Sequence, residues 1–423
     1  MSEFLDLDEV QRRILQLRLS SSGIGGVQGP PGTGKSLGMA CEALRSVDNG
    51  QAPVVIAAFG NKTVDHVVRY ARSLHIQAGG TDESFKTIAC RAGYTPAISD
   101  DLLTIHSNDM LRISRAKLVF STLHSSWRAA HAVSAERIIL DETAQARPEQ
   151  GFEVLENTTI DLTQNIPVTV VGDDMQARPI SPGGNEFGIL SRLKRSMPNS
   201  VHMLTTSYRL PEPNVDMTSS VFYEGKLDSP PEVRNRRLEL RNLPLGLVRQ
   251  IIDPDEPLTF VDVKGGEVEG WGYQNPSQVQ LTHLIVRALR DSGLDTTDPE
   301  KLLVLAPQKA QVIETLRTLS ADQLAGENVT TVTRSLGSEA DVVIFQTVRS
   351  NKRGYLGMTG LREVLNVATS RSRRKLIIVG DWSTFADGFG FTESFGLFPS
   401  RSRRMADFIE RQGSIVEAQP ILQ

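Results

Sequence analysis

A chain of 423 residues exceeds what one ordinary hydrophobic core organises, so two domains are the first expectation. With 39% hydrophobic and 23% charged residues it reads as globular, and a formal net charge of -4 excludes a generally basic nucleic-acid coat while leaving room for a local basic groove. Cys41 and Cys90 are too few for a zinc cage or a disulfide framework, and no apolar run has signal-peptide or membrane-spanning length, so a soluble intracellular protein, cytoplasmic or nuclear, is expected.

In chain order, the run Ile24–Gln28 leads into the turn Gly29–Ser36 and then into a helix-compatible stretch, Leu37–Ser46. Short β-rich runs follow at Val54–Phe59, Leu118–Ser121, Arg137–Leu140 and Val168–Val171, with Arg69–Lys117 reading as a helical insertion among them. A second series comprises Leu258–Val263, Leu302–Ala306, Val329–Val332, Val342–Phe345 and Leu376–Val379, and Asp228–Gly246 reads as an irregular surface excursion. Such runs alternating with helical stretches predict an α/β fold of two doubly wound parallel sheets, residues 1–200 and 201–423.

Gly29-Pro30-Pro31-Gly32-Thr33-Gly34-Lys35-Ser36 completes the pattern G-x-x-x-x-G-K-[ST] between a strand and a helix. Its glycines let backbone N–H groups face phosphate oxygens at a helix N-terminus, with Lys35 reaching the β- and γ-phosphates and Ser36 a ligand of Mg²⁺. Arg137–Leu140 delivers Asp141 and Glu142 to a strand's carboxyl end. Hydrolysis needs one carboxylate for hydrated Mg²⁺, assigned to Asp141, and one to orient and deprotonate water, assigned to Glu142. ATP and Mg²⁺ are the expected cofactors.

Asp141-Glu142-Thr143-Ala144-Gln145 resembles the D-E-x-x-Q segment of superfamily 1 B-branch helicases, whose members act in nonsense-mediated decay and replication. Further segments are similar to that family's motifs in the same order: Gly172-Asp173-Asp174-Met175-Gln176, Tyr208-Arg209, Phe222–Leu227, Ala306–Gln311, Gly337–Asp341 and Leu365–Arg373. The resemblance implies two tandem RecA-like P-loop NTPase domains and 5′-to-3′ movement on single-stranded RNA or DNA. It makes Gln176 the γ-phosphate sensor, Gln11 the reader of adenine, Tyr208 a residue stacking on the base and Glu339 an acceptor from the ribose hydroxyl. For Tyr208, packing in a domain interface is the alternative. Arg209 and Arg371 are the candidate arginine fingers, since charge spread over three γ-phosphoryl oxygens gains from inserted guanidinium groups. The neighbouring cluster Arg373-Arg374-Lys375 reads as surface.

By the same resemblance Asn61, Lys62, Thr63, Thr122, Lys309 and Thr331 would contact single-stranded nucleic acid through its phosphates; capping or turn roles are the competing readings. Departures gather here: Phe59-Gly60, Leu336 and Ala177-Arg178-Pro179 stand where the family carries other residues. No β-barrel is expected ahead of Gln11, and a monomer open to a regulatory protein partner is the expected state. A nucleotide-gated clamp with little unwinding is the rival function.

Overall fold

In the first unit the apolar runs become parallel strands buried on both faces, which is why they read as near-continuous hydrophobic segments. The computed structural model describes residues 24–93, 98–145, 166–176, 188–319, 327–390 and 400–418. The chain divides into two compact units, Met1–Thr205 and Thr206–Gln423.

Strands β1 (Ile24–Gln28), β2 (Val54–Ala58), β3 (Ala89–Arg91), β4 (Leu118–Thr122), β5 (Arg137–Asp141), β6 (Val168–Gly172) and β7 (Val201–Met203) form one sheet in the order β3-β4-β2-β5-β6-β1-β7. Every pairing in it is parallel. Successive side chains of a strand point to opposite faces. Val54, Ile56 and Ala58 therefore join one core, with Met39 of helix α1 (Lys35–Asp48) and Val67 of α2 (Asn61–Gln77). Val55 and Ala57 join a second core, with Ala129 of α3 (Leu123–Val133) and Leu190 of α4 (Ile189–Ser196). Helices thus cover both faces and leave the strands' carboxyl ends for a site, the RecA-like arrangement.

Residues 69–117, read as a helical insertion, include a 3₁₀ helix at Asp100–Ile105 and a short helix at Met110–Ser114, and what the helical reading lacks is one strand. They also hold the end of α2 and a short helix, Asp82–Ile88, and then strand β3, which pairs with β4 from Ala89↔Leu118 to Arg91↔Phe120. Arg91 explains the strand. Its guanidinium is wholly buried and donates to Asp65 Oδ1 at 2.8 Å, to Asn61 Oδ1 at 2.7 Å and to the Ala92 carbonyl at 2.6 Å. Breaking a buried pair of this kind from one side costs about 3–5 kcal/mol, so β3 is tied firmly to the start of α2.

In the second unit β8 (Leu258–Asp262), β11 (Leu302–Ala306), β12 (Val329–Thr331), β13 (Ala340–Gln346), β15 (Ser372–Gly380) and β17 (Ser414–Glu417) form a parallel sheet in the order β12-β11-β13-β15-β8-β17. Val304, Ile344, Ile377 and Val261 pack on Leu281, Ile285 and Leu289 of helix α5 (Pro276–Asp291). A two-stranded antiparallel hairpin, β9 (Val268–Glu269) and β10 (Tyr273–Gln274), stands apart from this sheet. So does the parallel pair β14 (Tyr355–Gly357) and β16 (Phe389–Gly390). Among the described residues no helix is long and apolar enough to cross a membrane. Cys41 and Cys90 are buried free thiols.

Lys375 corrects the surface reading of its cluster. It is fully buried in β15, and its ammonium donates to the Asp253 carbonyl at 3.0 Å, to Thr259 Oγ1 at 3.1 Å and to the Glu256 carbonyl. Burial lowers its pKa to about 7, against the attraction of Asp253 and Glu256. Between pH 7 and the unfolded value near 10.5 the unfolded chain therefore binds more protons than the folded one, and stability rises with pH across that window. Denaturant melts of the wild type from pH 7 to 9 should show a gain of about 1–3 kcal/mol that Lys375→Met lacks. Parallel pH profiles of the two proteins would show instead that Lys375 stays charged in the fold.

Candidate active site

β1 ends at Gln28, and the chain curls through Gly29–Gly34 directly into α1. Gly32 and Gly34 have φ of 72° and 73°, the left-handed region that glycine enters without a Cβ penalty. The loop therefore closes onto a helix N-terminus, where unpaired N–H groups and the helix dipole favour an anion. A Cβ on Gly29 would meet Cδ and Cγ of Lys35, so the lysine stem lies directly over the glycine in this conformation. The Lys35 ammonium donates to the carbonyls of Gly29 and, at 3.2 Å, Pro30. Thr33 Oγ1 donates to the Pro30 carbonyl at 2.8 Å, while Pro31 continues the turn and Ser36 lies half-buried in the first turn of α1.

β6 lies between β1 and β5, and its end joins the loop: Gly29 N–H donates to the Gly172 carbonyl at 2.8 Å. Asp141, at the end of β5, is 2% exposed. Burial pushes its pKa up to about 6, while the charge of Lys35 and the Glu142 N–H, 2.7 Å from Asp141 Oδ1, favour its ionised form. Glu142 has φ of 52°, a conformation costing a non-glycine residue of order 1–3 kcal/mol and concentrated at functional sites. Thr143 Oγ1, donating to the Val171 carbonyl at 2.8 Å, pins the strand end.

Asp173 organises the third strand end. Its Oδ1 accepts from Gln28 Nε2 at 2.5 Å and from the Met175 N–H at 3.1 Å, and its Oδ2 accepts from Gln176 Nε2 at 2.6 Å. Gln28 carries no role in the motif reading, yet it couples the phosphate-loop strand to Gln176 through one carboxylate. The only signal in the sequence is a polar residue closing an apolar strand; in the fold it is 3% exposed.

In the second unit the structure brings together Arg209, Glu339 and the Ser370-Arg371 segment. Arg209 Nε donates to Glu339 Oε2 at 2.5 Å and its Nη1 to the Ser370 carbonyl at 3.0 Å. Arg371, 3% exposed, donates to the carbonyls of Val367 at 3.3 Å and Ser338 at 3.4 Å. Burial raises the Glu339 pKa, but Arg209, Arg373 and Arg371 outweigh it and the net shift is downward. Its carboxylate is therefore an arginine partner here, rather than an unengaged acceptor. Tyr208 is half-buried and its carbonyl accepts from Arg236 at 3.0 Å. Gln11 and Ala177-Arg178-Pro179 lie outside the described residues.

The strand-contact candidates separate. Asn61 is engaged by Arg91, Thr122 Oγ1 is bonded to Ser125 Oγ at 3.0 Å, and Thr331 Oγ1 accepts from the Arg334 N–H at 3.4 Å as a cap. Lys62 is exposed and Thr63 half-buried. Lys309 and Thr331 line one open cavity of the second unit. Among the described residues no cluster of three or more His, Cys, Asp or Glu could cage a metal. A hydroxyl and one carboxylate beside a phosphate loop suit Mg²⁺, which keeps most of its ligands from phosphates and water.

A sequence family described as AAA domain matches residues 6–232, more than half of the chain, and a second family of that description matches residues 186–383. The DNA polymerase alpha-associated DNA helicase A of Schizosaccharomyces pombe is 29% identical over 287 aligned positions, covering 64% of this chain and 41% of that protein. The DNA-binding protein SMUBP-2 of Mesocricetus auratus is 24% identical, covering 89% of this chain and 43% of its own length. The chain thus spans about two fifths of the length of these two curated relatives. The structure of S. cerevisiae Dbp5 bound to RNA and ADP BeF3 aligns with 99% of this chain and 92% of its own, at 10% identity and a TM-score of 0.49. With the AAA-domain match running through the phosphate loop, Asp141-Glu142 and Gln176, the chain belongs to the AAA-domain P-loop NTPases, and a DNA helicase stands among the proteins it is similar to.

Proposed function

We propose that this chain is an ATP hydrolase of the B branch of superfamily 1 that couples hydrolysis to 5′-to-3′ movement along single-stranded RNA or DNA. The observation that supports this most directly is that Lys35, Asp141-Glu142 and Asp173-Gln176 gather at the carboxyl ends of three adjacent strands, β1, β5 and β6. In this reading the backbone of Gly29–Gly34 and the Lys35 ammonium bind the phosphates, and Ser36 and Asp141 hold Mg²⁺. The ion, when bound, supplies neutralisation of charge on the phosphate oxygens. Glu142 orients the attacking water and takes its proton as the bond from the γ-phosphorus to the bridging oxygen breaks. Gln176, held by Asp173, senses the γ-phosphate, and Arg209 and Arg371 offset transition-state charge.

The test is ATP hydrolysis with and without matched RNA and DNA oligonucleotides, together with strand displacement on 5′- and 3′-tailed duplexes across a salt series. Stimulation that falls steeply with salt and displacement from a 5′ tail are expected, because phosphate contacts release counterions. A 3′-tail preference would break the polarity assignment. Hydrolysis indifferent to every oligonucleotide would point to a nucleotide-gated clamp.

A further inference from the structure

Two residues that the motif register assigns to nucleic-acid contact, Lys309 and Thr331, line the same open cavity of about 640 Å³ in the second unit. That volume suits a small-ligand site. Neither residue explains the aromatic part of the wall: Trp271 and Tyr273 from the β9–β10 hairpin and Tyr355 from β14, with Arg349. The Arg349 guanidinium lies 3.8 Å from the centroid of the Tyr273 ring and 5.2 Å from that of Tyr355, and is held by Glu267 at 3.0 Å. This part of the wall is built and buried, Arg349 being 4% exposed.

Trp271 is its opposite. It is 106% exposed, the most exposed of the large hydrophobic side chains described, at the turn between β9 and β10. The turn is hydrogen-bonded within itself and to its neighbours. Gly270 N–H donates to the Gly272 carbonyl at 3.1 Å, and Gly272, with φ of 148°, allows the reversal. Helix α6 (Lys309–Leu319) and the residue before it grip the hairpin's return strand: Gln308 Oε1 accepts from the Tyr273 N–H at 2.6 Å and Gln311 Oε1 from the Asn275 N–H at 2.7 Å. An indole held out in water on a hydrogen-bonded turn, beside a cavity with a lysine and an arginine-aromatic wall, has the composition of a single-strand stacking platform. Aromatic faces take bases of any sequence, and the cation takes phosphate.

We infer that Trp271 stacks on an unpaired base of single-stranded nucleic acid whose backbone passes Lys309 and Thr331, with the cavity accepting the splayed nucleotide. This rests on the helicase reading and adds a base contact to a grip otherwise made of phosphate contacts.

The full chain would be titrated against labelled oligothymidine of about 20 nucleotides, longer than the site sizes of single-strand binders, and against an abasic strand of the same length. Wild type should prefer the strand with bases. Trp271→Ala should weaken oligothymidine binding by roughly 5- to 150-fold and remove most of the preference over the abasic strand, whereas Trp271→Phe keeps most of both. Because the side chain is fully exposed, the melting temperature of Trp271→Ala should match wild type, which separates lost binding from lost folding. If wild type binds oligothymidine and Trp271→Ala binds it equally well, the stacking role is wrong while the helicase reading stands. If wild type binds no single strand, the helicase reading itself fails and this inference with it.

Discussion

Glu142→Gln should lower strand-stimulated ATP turnover by about 10²- to 10⁴-fold while ATP affinity stays within a few-fold. The amide keeps the shape and volume of the carboxylate, so the strand end and the positive φ of the backbone are undisturbed. What it loses is the ability to accept the water's proton. Two properties of Asp141 make the expectation specific to Glu142. Asp141 Oδ1 holds the Glu142 N–H at 2.7 Å, so the backbone that aims the side chain is fixed by a different residue. Asp141 itself is 2% exposed, where a carboxylate serves a cation better than it exchanges protons with passing water. Steady-state hydrolysis alongside equilibrium binding of a fluorescent ATP analogue checks both halves. Retention of more than about a tenth of wild-type turnover would remove Glu142 from the role of base. A collapse of affinity with turnover would instead mean that the carboxylate organises the phosphate loop.

The strands that carry this chemistry are legible in the sequence for a physical reason. A parallel strand covered on both faces has no polar face to show, so Arg137–Leu140 and Val168–Val171 stand out as largely apolar runs, and a functional residue such as Asp141 is the first polar residue after one. The same logic fails where stability comes from long-range polar pairing. Arg91 ends an edge strand of three residues and is paired with Asp65, 26 positions away. Nothing local announces that partner, so the segment reads as part of a helical insertion and Asn61 as available for a strand phosphate. Lys375 fails for the same reason, since its acceptors at Asp253 and Glu256 lie 122 and 119 positions off. In β15 an arginine-rich stretch conceals a buried ammonium. The Gln28–Asp173–Gln176 chain lies between these cases: Asp173 and Gln176 sit in a recognisable motif and Gln28 only borders one, and the coupling exists only because β1 and β6 are sheet neighbours.

Arg209→Ala should lower the hydrolysis rate by about 10³-fold or more, with nucleotide affinity changed far less, if Arg209 acts on transition-state charge. The structure supplies a competing role that the experiment must separate. Arg209 is bonded to Glu339 at 2.5 Å and to the Ser370 carbonyl at 3.0 Å, so it is also a strut between the segment before β13 and the turn that carries Arg371. A strut and a finger respond differently to Arg209→Lys. Lysine keeps the charge but cannot reproduce the planar fork that holds a carboxylate and a carbonyl together. A strut is therefore lost with either substitution, and the melting temperature should fall in both while turnover falls modestly. A finger keeps part of its effect as lysine, so turnover should recover by tenfold or more from the alanine value while the two variants melt alike. Glu339→Gln completes the comparison. It weakens the ion pair that restrains Arg209 without removing the guanidinium, and in the finger mechanism turnover then stays near wild type. A loss with Glu339→Gln as deep as with Arg209→Ala would mean that the pair acts as a structural unit, and Arg371 alone would remain as the candidate cation.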